Sequence, residues 1–312
     1  MTQAERRTIT QRVIFNIHPS SLLLSAGAVA AGLAASVIRG GVAAMPALLT
    51  LIFAIFFQIS GNLYYGYHRV LRSIEDNKVE QRDIDVIGFR LLKILSNAFF
   101  ILAVTFAFPL LTYIGWWSLL YLVVVMEVVY LYFGGPYPLV RTRWSVLVTF
   151  LLFGPIAVSG TAFIQLTTLD ELTPIIAYSI ISGVLAANAN ISLQFLRRID
   201  DVKDGMTSLL AVRGSLMVRL IYMADIIVAC VIVLLPMSTV GFGNGWFSYL
   251  VAVFLLGSGI YVYTLMKRDT LEDAFMIRKI AIWQYVSVLI LMLIMVFHAD
   301  ESYWLTFFSR HY

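Results

Sequence analysis

Charge is scarce in this sequence. Of its 312 residues only 13% are Asp, Glu, Lys or Arg, about half the share that soluble domains carry. A water-soluble fold of this length is therefore excluded. Cysteine is nearly absent too. Cys230 stands alone, so no disulfide can form within the chain, and its place in an apolar run predicts a buried filler rather than a thiol nucleophile. The first twenty residues are polar and carry Arg6, Arg7 and Arg12, with no small-residue cleavage site after a short apolar run. That pattern is not a cleavable leader, so the first apolar segment is expected to stay as a membrane helix. The net charge of +4, with pI near 9.1, reflects basic residues held on one membrane face. No nucleic-acid partner is expected.

Long apolar runs are what the chain does have. It is 60% hydrophobic with mean hydropathy +0.87. Nine stretches of about 20 residues can each cross a hydrocarbon core of roughly 30 Å. They are Ser20–Ile38, Val42–Ser60, Leu91–Ile114, Trp116–Phe133, Ser145–Leu166, Pro174–Leu193, Ser215–Leu235, Trp246–Met266 and Ala281–Phe297. Lys93 and Arg219 lie near segment ends, where long side chains can reach the interface.

Lys and Arg sort the connections onto two sides. The N-terminus and the loops after segments 2, 4, 6 and 8 hold eighteen of the 22 basic residues, whereas the other side has Arg39 and Arg310. A miscounted helix would scramble this alternation. The N-terminus is expected on the cytoplasmic side of a bacterial-type inner membrane, and the C-terminus outside. The inside loops after segments 2 and 6 are long and also acidic, with Glu75, Asp76, Glu80, Asp83 and Asp85 in the first and Asp200, Asp201 and Asp204 in the second. Each follows the second helix of a four-helix group, so segments 1–4 and 5–8 read as a repeat. Matching charged loops suggest one shared site; ordinary solvated loops are the competing account.

Several polar residues stand out against this background. Tyr64, Tyr65, Tyr67 and His68 cluster at the end of segment 2, where aromatics also sit at membrane interfaces without function. Glu127 in segment 4 and Asp225 in segment 7 are ionisable at membrane depth, a functional signal. The bland alternatives are a helix–helix hydrogen bond or pairing of Asp225 with Arg219. Asn188 and Asn190 are expected to pack between helices or line a cavity.

Two stretches carry a resemblance. Tyr132-Phe-Gly-Gly-Pro-Tyr-Pro138 followed by Phe153-Gly-Pro-Ile-Ala-Val-Ser-Gly-Thr-Ala-Phe-Ile-Gln165 is similar to the middle of 1,4-dihydroxy-2-naphthoate polyprenyltransferases, members of the UbiA superfamily of intramembrane prenyltransferases. Gln58-Ile59 with Asn62-Leu63 resembles the lead-in to that family's first acidic motif. Leu210-Ala-Val-Arg213 resembles the text after its second. The resemblance covers nearly the whole chain. It implies an all-α bundle of nine transmembrane helices around a central cavity with cytoplasmic caps. The chain would be a single domain, 1–312, with pseudo-repeats at roughly 20–144 and 145–266 plus a ninth helix. It also implies a chemistry, in which a polyprenyl diphosphate is ionised and its chain attached to an aromatic acceptor. Carboxylates of an N-D-x-x-D and a D-x-x-x-D motif hold Mg²⁺ on the diphosphate.

Those carboxylates are where this chain departs. Aligned through Gln58 and Asn62, N-D-x-x-D falls on Tyr65-Gly66-Tyr67-His68-Arg69; the later acid survives as Glu75 or Asp76. In the second loop a gapless alignment puts the two aspartates on Arg198 and Val202. One inserted residue retains Asp201 but places Arg197 at the other position. After the G-P-x-P turn, where the family tends to have an acid, the chain reads Arg143-Trp144-Ser145. Arginine at a ligand position repels Mg²⁺ but binds phosphate oxygens directly. Arg69, Arg72, Arg141, Arg197 and Arg198, with Asn62 and Tyr65, are therefore candidates for holding an anionic head group without a metal. Equally, such residues serve as sidedness signals. Glu75, Asp76, Asp200, Asp201 and Asp204 are the retained acids.

Three functions follow. The first is a UbiA-type pseudoenzyme or subunit of a membrane assembly that binds a polyisoprenoid, quinone or anionic lipid, with no cofactor expected. The second is an active polyprenyltransferase with divergent catalytic residues, which would need Mg²⁺ or activation by arginines. The third, a transporter, is disfavoured because no segment shows a polar stripe along its full length.

Overall fold

The computed structural model describes residues 13–14, 16–37, 42–75, 86–134, 138–165, 172–203, 205–235, 246–268 and 270–298. Among them there is no strand. The helices are α1 (Pro19–Val37), α2 (Ala44–Glu75), α3 (Val86–Ala107) and α4 (Trp117–Phe133), then α5, which comprises Ser145–Leu151, a π turn Leu152–Ile156 and Ala157–Gln165. After these come α6 (Thr173–Lys203), α7 (Leu209–Val233), α8 (Trp246–Arg268) and α9 (Leu271–His298). Eight helices of the described residues are long and apolar enough to cross a membrane; α4, at 17 residues, is the shorter apolar one. The chain is a multi-pass membrane protein.

The helices outrun the apolar segments where charge begins. Arg69 and Arg72 lie on α2, which continues to Glu75, and Arg197 and Arg198 lie on α6, which continues to Lys203. Expected as loop residues, both pairs are helical instead. The apolar criterion ends a segment where polar residues begin, before the first charges, whereas the helix continues through both. Likewise α9 begins at Leu271 rather than Ala281, which places Arg278 and Lys279 inside a helix. Its start is written in the sequence: Thr270 Oγ1 accepts from the Asp273 amide (3.1 Å), an N-cap bond, and donates to the Asp273 carboxylate (2.7 Å).

The chain folds as two compact units, Met1–Ser25 with Leu49–Pro138, and Ala26–Leu48 with Leu139–Tyr312. In the first, Ile59, Leu63 and Leu92 form an apolar cluster with Ile17, Phe56 and Phe99 around it. Ser60 and Ser96 exchange hydroxyl-to-carbonyl bonds of 2.9 and 3.0 Å, which ties α2 to α3. In the second, α6 is the central element, 83% buried over its apolar window and packed against α5, α7 and α9. The Phe153–Gln165 stretch serves this packing. Pro155 lacks an amide, so the helix widens into its π turn. A Cβ at Gly154 would meet the Ser179 carbonyl oxygen and, at 2.9 Å, the Gly183 Cα. Two backbones therefore touch there, and only glycine fits.

Burial of α6 also explains its polar residues. Ser179, Ser182, Asn188, Ser192 and Gln194 are all buried. They are spread around the helix rather than lined up on one face. Its side chains are largely spent on neighbouring helices: Ser182 donates to the Phe153 carbonyl (2.7 Å) and Asn190 to Thr149 Oγ1 (2.9 Å). Cys230 is buried, with its sulfur 3.6 Å from the Ala252 carbonyl oxygen.

Candidate functional site

On α2, the segment where the resemblance places N-D-x-x-D is helical and closely packed. Asn62 is buried; its amide donates to the Ile17 carbonyl and to Ser21 Oγ, both at 2.7 Å, and it accepts from Gln58 (3.0 Å). Gln58 in turn accepts from Ser25 Oγ (3.2 Å). This chain of bonds anchors the segment leading into α1. Tyr65 is buried beside Phe133. Gly66 faces Asn16: a Cβ there would lie 2.9 Å from the Asn16 Cγ and closer still to its Oδ1. One turn further on, Arg69 and then Arg72 are half-buried. Tyr67 stacks on Phe89 with ring centroids 4.5 Å apart, carries the Lys93 ammonium over its ring (5.5 Å) and meets His68 edge-on. Glu75 ends α2, its side chain lies outside the described residues, and so does Asp76.

The second site segment is built by α6, α7 and the loop before α5. Gln194 is its hub. Its Oε1 accepts from the Leu210 amide (3.1 Å), and its Nε2 donates to Asn190 Oδ1 (2.9 Å) and Ser145 Oγ (3.2 Å). The first turn of α7, Leu210-Ala-Val-Arg213, is thereby pinned to α6. Ser208 caps it, and Gly214 at φ 74° breaks it from the rest of α7, a conformation that favours glycine. The Thr207 amide donates to the Arg141 carbonyl (3.0 Å), and Thr142 and Thr207 form a parallel bridge. Arg141 is therefore held against the loop that follows α6.

Asp201 is buried and its carbonyl accepts from the Met206 amide (2.8 Å). Arg197 is half-buried and Arg198 exposed. Arg278, unforeseen as a site residue, donates from Nη1 to the Ala189 carbonyl (2.5 Å) and to Ser192 Oγ (3.3 Å), near enough to Arg197 for their charges to interact. The side chain of Asp200 and the whole of Asp204 lie outside the described residues.

The intramembrane oddities separate. Asn188 donates to the Tyr222 carbonyl (3.3 Å) while its Oδ1 is buried without a partner. Tyr222 continues into Gln284 (2.6 Å) and Gln284 into Ser258 (2.8 Å). Asp225 is half-buried on α7. Arg219, one alternative partner for it, donates to the Ser215 carbonyl (3.2 Å) and lies over the Tyr263 ring (5.1 Å). Glu127 is exposed on α4.

The described residues bear on the Mg²⁺–diphosphate centre that the resemblance implies at two positions of α2, 66 and 69. Such a centre needs several converging oxygen ligands. A Cβ at position 66 would meet the Asn16 side chain, which would have to move aside, and a guanidinium stands at 69. Among the described residues no three acidic, His or Cys side chains converge as a metal site would require. Asn16 could not be found from sequence, because nothing local marks its contact with Gly66.

No protein-family model matches the sequence, and no curated protein does. Solved structures do match. The chain carries the UbiA fold. A UbiA homologue from Aeropyrum pernix K1 superposes with TM-score 0.61 at 12% identity, over 88% of this chain and 97% of that one. A UbiA homologue from Archaeoglobus fulgidus gives 0.60 at 15% identity, over 94% and 100%; its Cd²⁺-bound structure gives 0.55. A digeranylgeranylglyceryl phosphate synthase in membranes gives 0.59 at 14% identity, over 94% and 99%. At these identities the likeness is one of fold.

Proposed function

We propose that this protein is a UbiA-fold lipid-binding protein that has lost metal-dependent prenyl transfer. It would hold the anionic head group of a polyisoprenoid, quinone or related lipid through arginines, as a pseudoenzyme or as a subunit of a membrane assembly. In this reading it crosses a bacterial-type inner membrane nine times, with α4 as a full span, N-terminus cytoplasmic and C-terminus outside. It forms one domain with repeats at roughly 20–144 and 145–266. The observation that carries the reading is the packing of Gly66 on Asn16. Where the resemblance expects the first metal-binding aspartate, the chain has a glycine packed against the Asn16 side chain, and the next ligand position is Arg69.

Arginine is suited to what remains. Its guanidinium keeps its charge and presents paired donors to phosphate or carboxylate oxygens. Arg69 and Arg72 on α2, and Arg141, Arg197 and Arg198 in the second unit, supply such donors without a cation. Each basic residue near an anionic head group contributes about 1 kcal/mol. Arg198→Ala should therefore weaken retention of the co-purified lipid roughly fivefold.

A second reading, an active prenyltransferase with divergent residues, is favoured by one feature: Asp201, the acid that one alignment retains, is buried. One assay separates the two. Purified protein is incubated with a polyprenyl diphosphate, Mg²⁺ and dihydroxynaphthoate, and its bound lipid is identified by mass spectrometry. The lipid-binding reading expects a retained lipid and no chelator-sensitive product. Turnover at ordinary enzyme rates would sink it.

A further inference from the structure

Helix α4 presents one face to its surroundings. Leu120, Val123, Val124, Tyr130 and Leu131 are each about half-exposed or more, and their spacing of three and four puts them on one stripe. Val125, Tyr132 and Phe133 are buried on the other side. Glu127 lies in the middle of the exposed stripe. It is six residues from the end of α4 at Phe133 and ten from its start at Trp117, so about 9 and 15 Å from the two ends. Among the described residues no group hydrogen-bonds to it. With α4 as a span, as proposed above, this carboxyl would stand in lipid hydrocarbon, the least favourable place for one.

From this we infer that the Glu127 face of α4 is an interface for a transmembrane helix of another protein that carries Lys or Arg at mid-bilayer. Charge complementarity selects the occupant. Among the described residues, a second copy of this chain does not provide the cation. Lys93 is exposed on α3, but α3 and α4 are joined at their outer ends by the turn at Gly115–Trp116. Measured from that turn, Lys93 is about 30 Å down and Glu127 about 15 Å. Arg219, the cation within α7, is held by Ser215 and the Tyr263 ring. The exposed Arg213, Lys267, Arg268 and Lys279 flank the apolar stretches of their helices rather than lying within them. Hydrophobicity does not drive helices together in lipid, so a hydrogen-bonded charge pair on a flat apolar stripe supplies the specificity.

The test uses the full chain in lipid vesicles with two synthetic single-pass Leu/Ala helices, identical except for Arg or Leu at the midpoint. Energy transfer between a label on the helix and one on the chain reads association. The Arg helix should bind at least tenfold more tightly than the Leu helix, and Glu127→Leu should abolish that preference. Because Glu127 is exposed, the variant should fold, which an unchanged unfolding midpoint and unchanged lipid retention would establish. Should the variant fail to fold, Glu127→Gln is used and should lose most of the preference. No preference for the Arg helix, a preference that survives substitution of Glu127, or association of two labelled copies of the chain through this face overturns the inference. A cysteine at Gly115 that no impermeant thiol reagent reaches from the outer side overturns it through the span itself. Failure of the head-group reading shows separately, as lost lipid retention with Arg helix binding intact.

Discussion

Replacing Gly66 separates a packing role from a merely tolerated glycine. In a solvent-facing helix Gly→Ala stabilises by about 1 kcal/mol, because glycine loses more backbone entropy on folding. On α2 the added Cβ would sit 2.9 Å from Asn16 Cγ and 3.3 Å from its Cβ, distances that force a shift. Overpacking of this kind costs about 1–3 kcal/mol. The two effects oppose each other, so Gly66→Ala should be neutral to destabilising by up to about 2 kcal/mol. In an Asn16→Ala background the nearest atoms are gone, and the same substitution should stabilise. The coupling between positions 16 and 66 is then at least about 1 kcal/mol, well above the roughly 0.3–0.5 kcal/mol by which independent sites deviate from additivity. Denaturant titration of the four proteins in one detergent, with the transition slope checked for constancy, measures it. Coupling within the additive range, or a Gly66→Ala protein more stable than the parent, would refute the contact and remove the main support for a closed metal position.

Three other outcomes follow from the same structure. Asn62→Ala forfeits bonds to the Ile17 carbonyl and Ser21 hydroxyl, at about 1 kcal/mol each; a stability loss below about 0.5 kcal/mol would contradict its anchoring role. Gln194→Leu leaves the Leu210 amide buried without its acceptor, which should cost about 1–3 kcal/mol and speed hydrogen exchange at that amide, and unchanged exchange would count against the hub. Gly154→Ala drives a Cβ into the Ser179 carbonyl and should destabilise by about 1–3 kcal/mol. Gly257→Ala on α8 meets nothing within 4 Å and should be neutral or mildly stabilising. Equal effects at the two glycines would mean that α5 and α6 do not touch as described.

Much of the helical layout was legible because hydrophobic length is a one-dimensional property. Helix ends were not. An apolar criterion stops at Ser60 and Leu193, but α2 and α6 run on through charged residues that can reach the interface. This moved Arg69, Arg72, Arg197 and Arg198 from loops onto helices, where spacing of three and four, not contour length, decides which side chains share a face. The start of α9 was readable in principle, since Thr270 caps it through the Asp273 amide; the run of charges after it hid the signal. Contacts between distant segments were out of reach. Asn16 against Gly66 and Arg278 against Ala189 join residues fifty and eighty-nine positions apart, and no local pattern records them.

The residues that carried the resemblance turn out to share one physical character. Asn62 and Gln58 tie down the segment entering α1, the stretch around Gly154 lets α5 touch α6, and Leu210 is fastened by Gln194. All are scaffold contacts, needed whatever the site contains. The arginines at which the chain differs from the family text, Arg69 and the Arg197–Arg198 pair, lie where the resemblance places ligands rather than packing. The proposed loss of chemistry with retention of fold predicts this division, because substituting a buried anchor costs stability whereas substituting an idle ligand costs none. It also predicts a dissociation between two measurements. Arg198→Ala, on an exposed side chain, should lower lipid retention and leave the unfolding midpoint within about 0.5 kcal/mol of the parent, while Asn62→Ala should move the midpoint. If Arg198→Ala unfolds the protein as readily as Asn62→Ala, the arginine belongs to the scaffold and the head-group assignment on α6 fails.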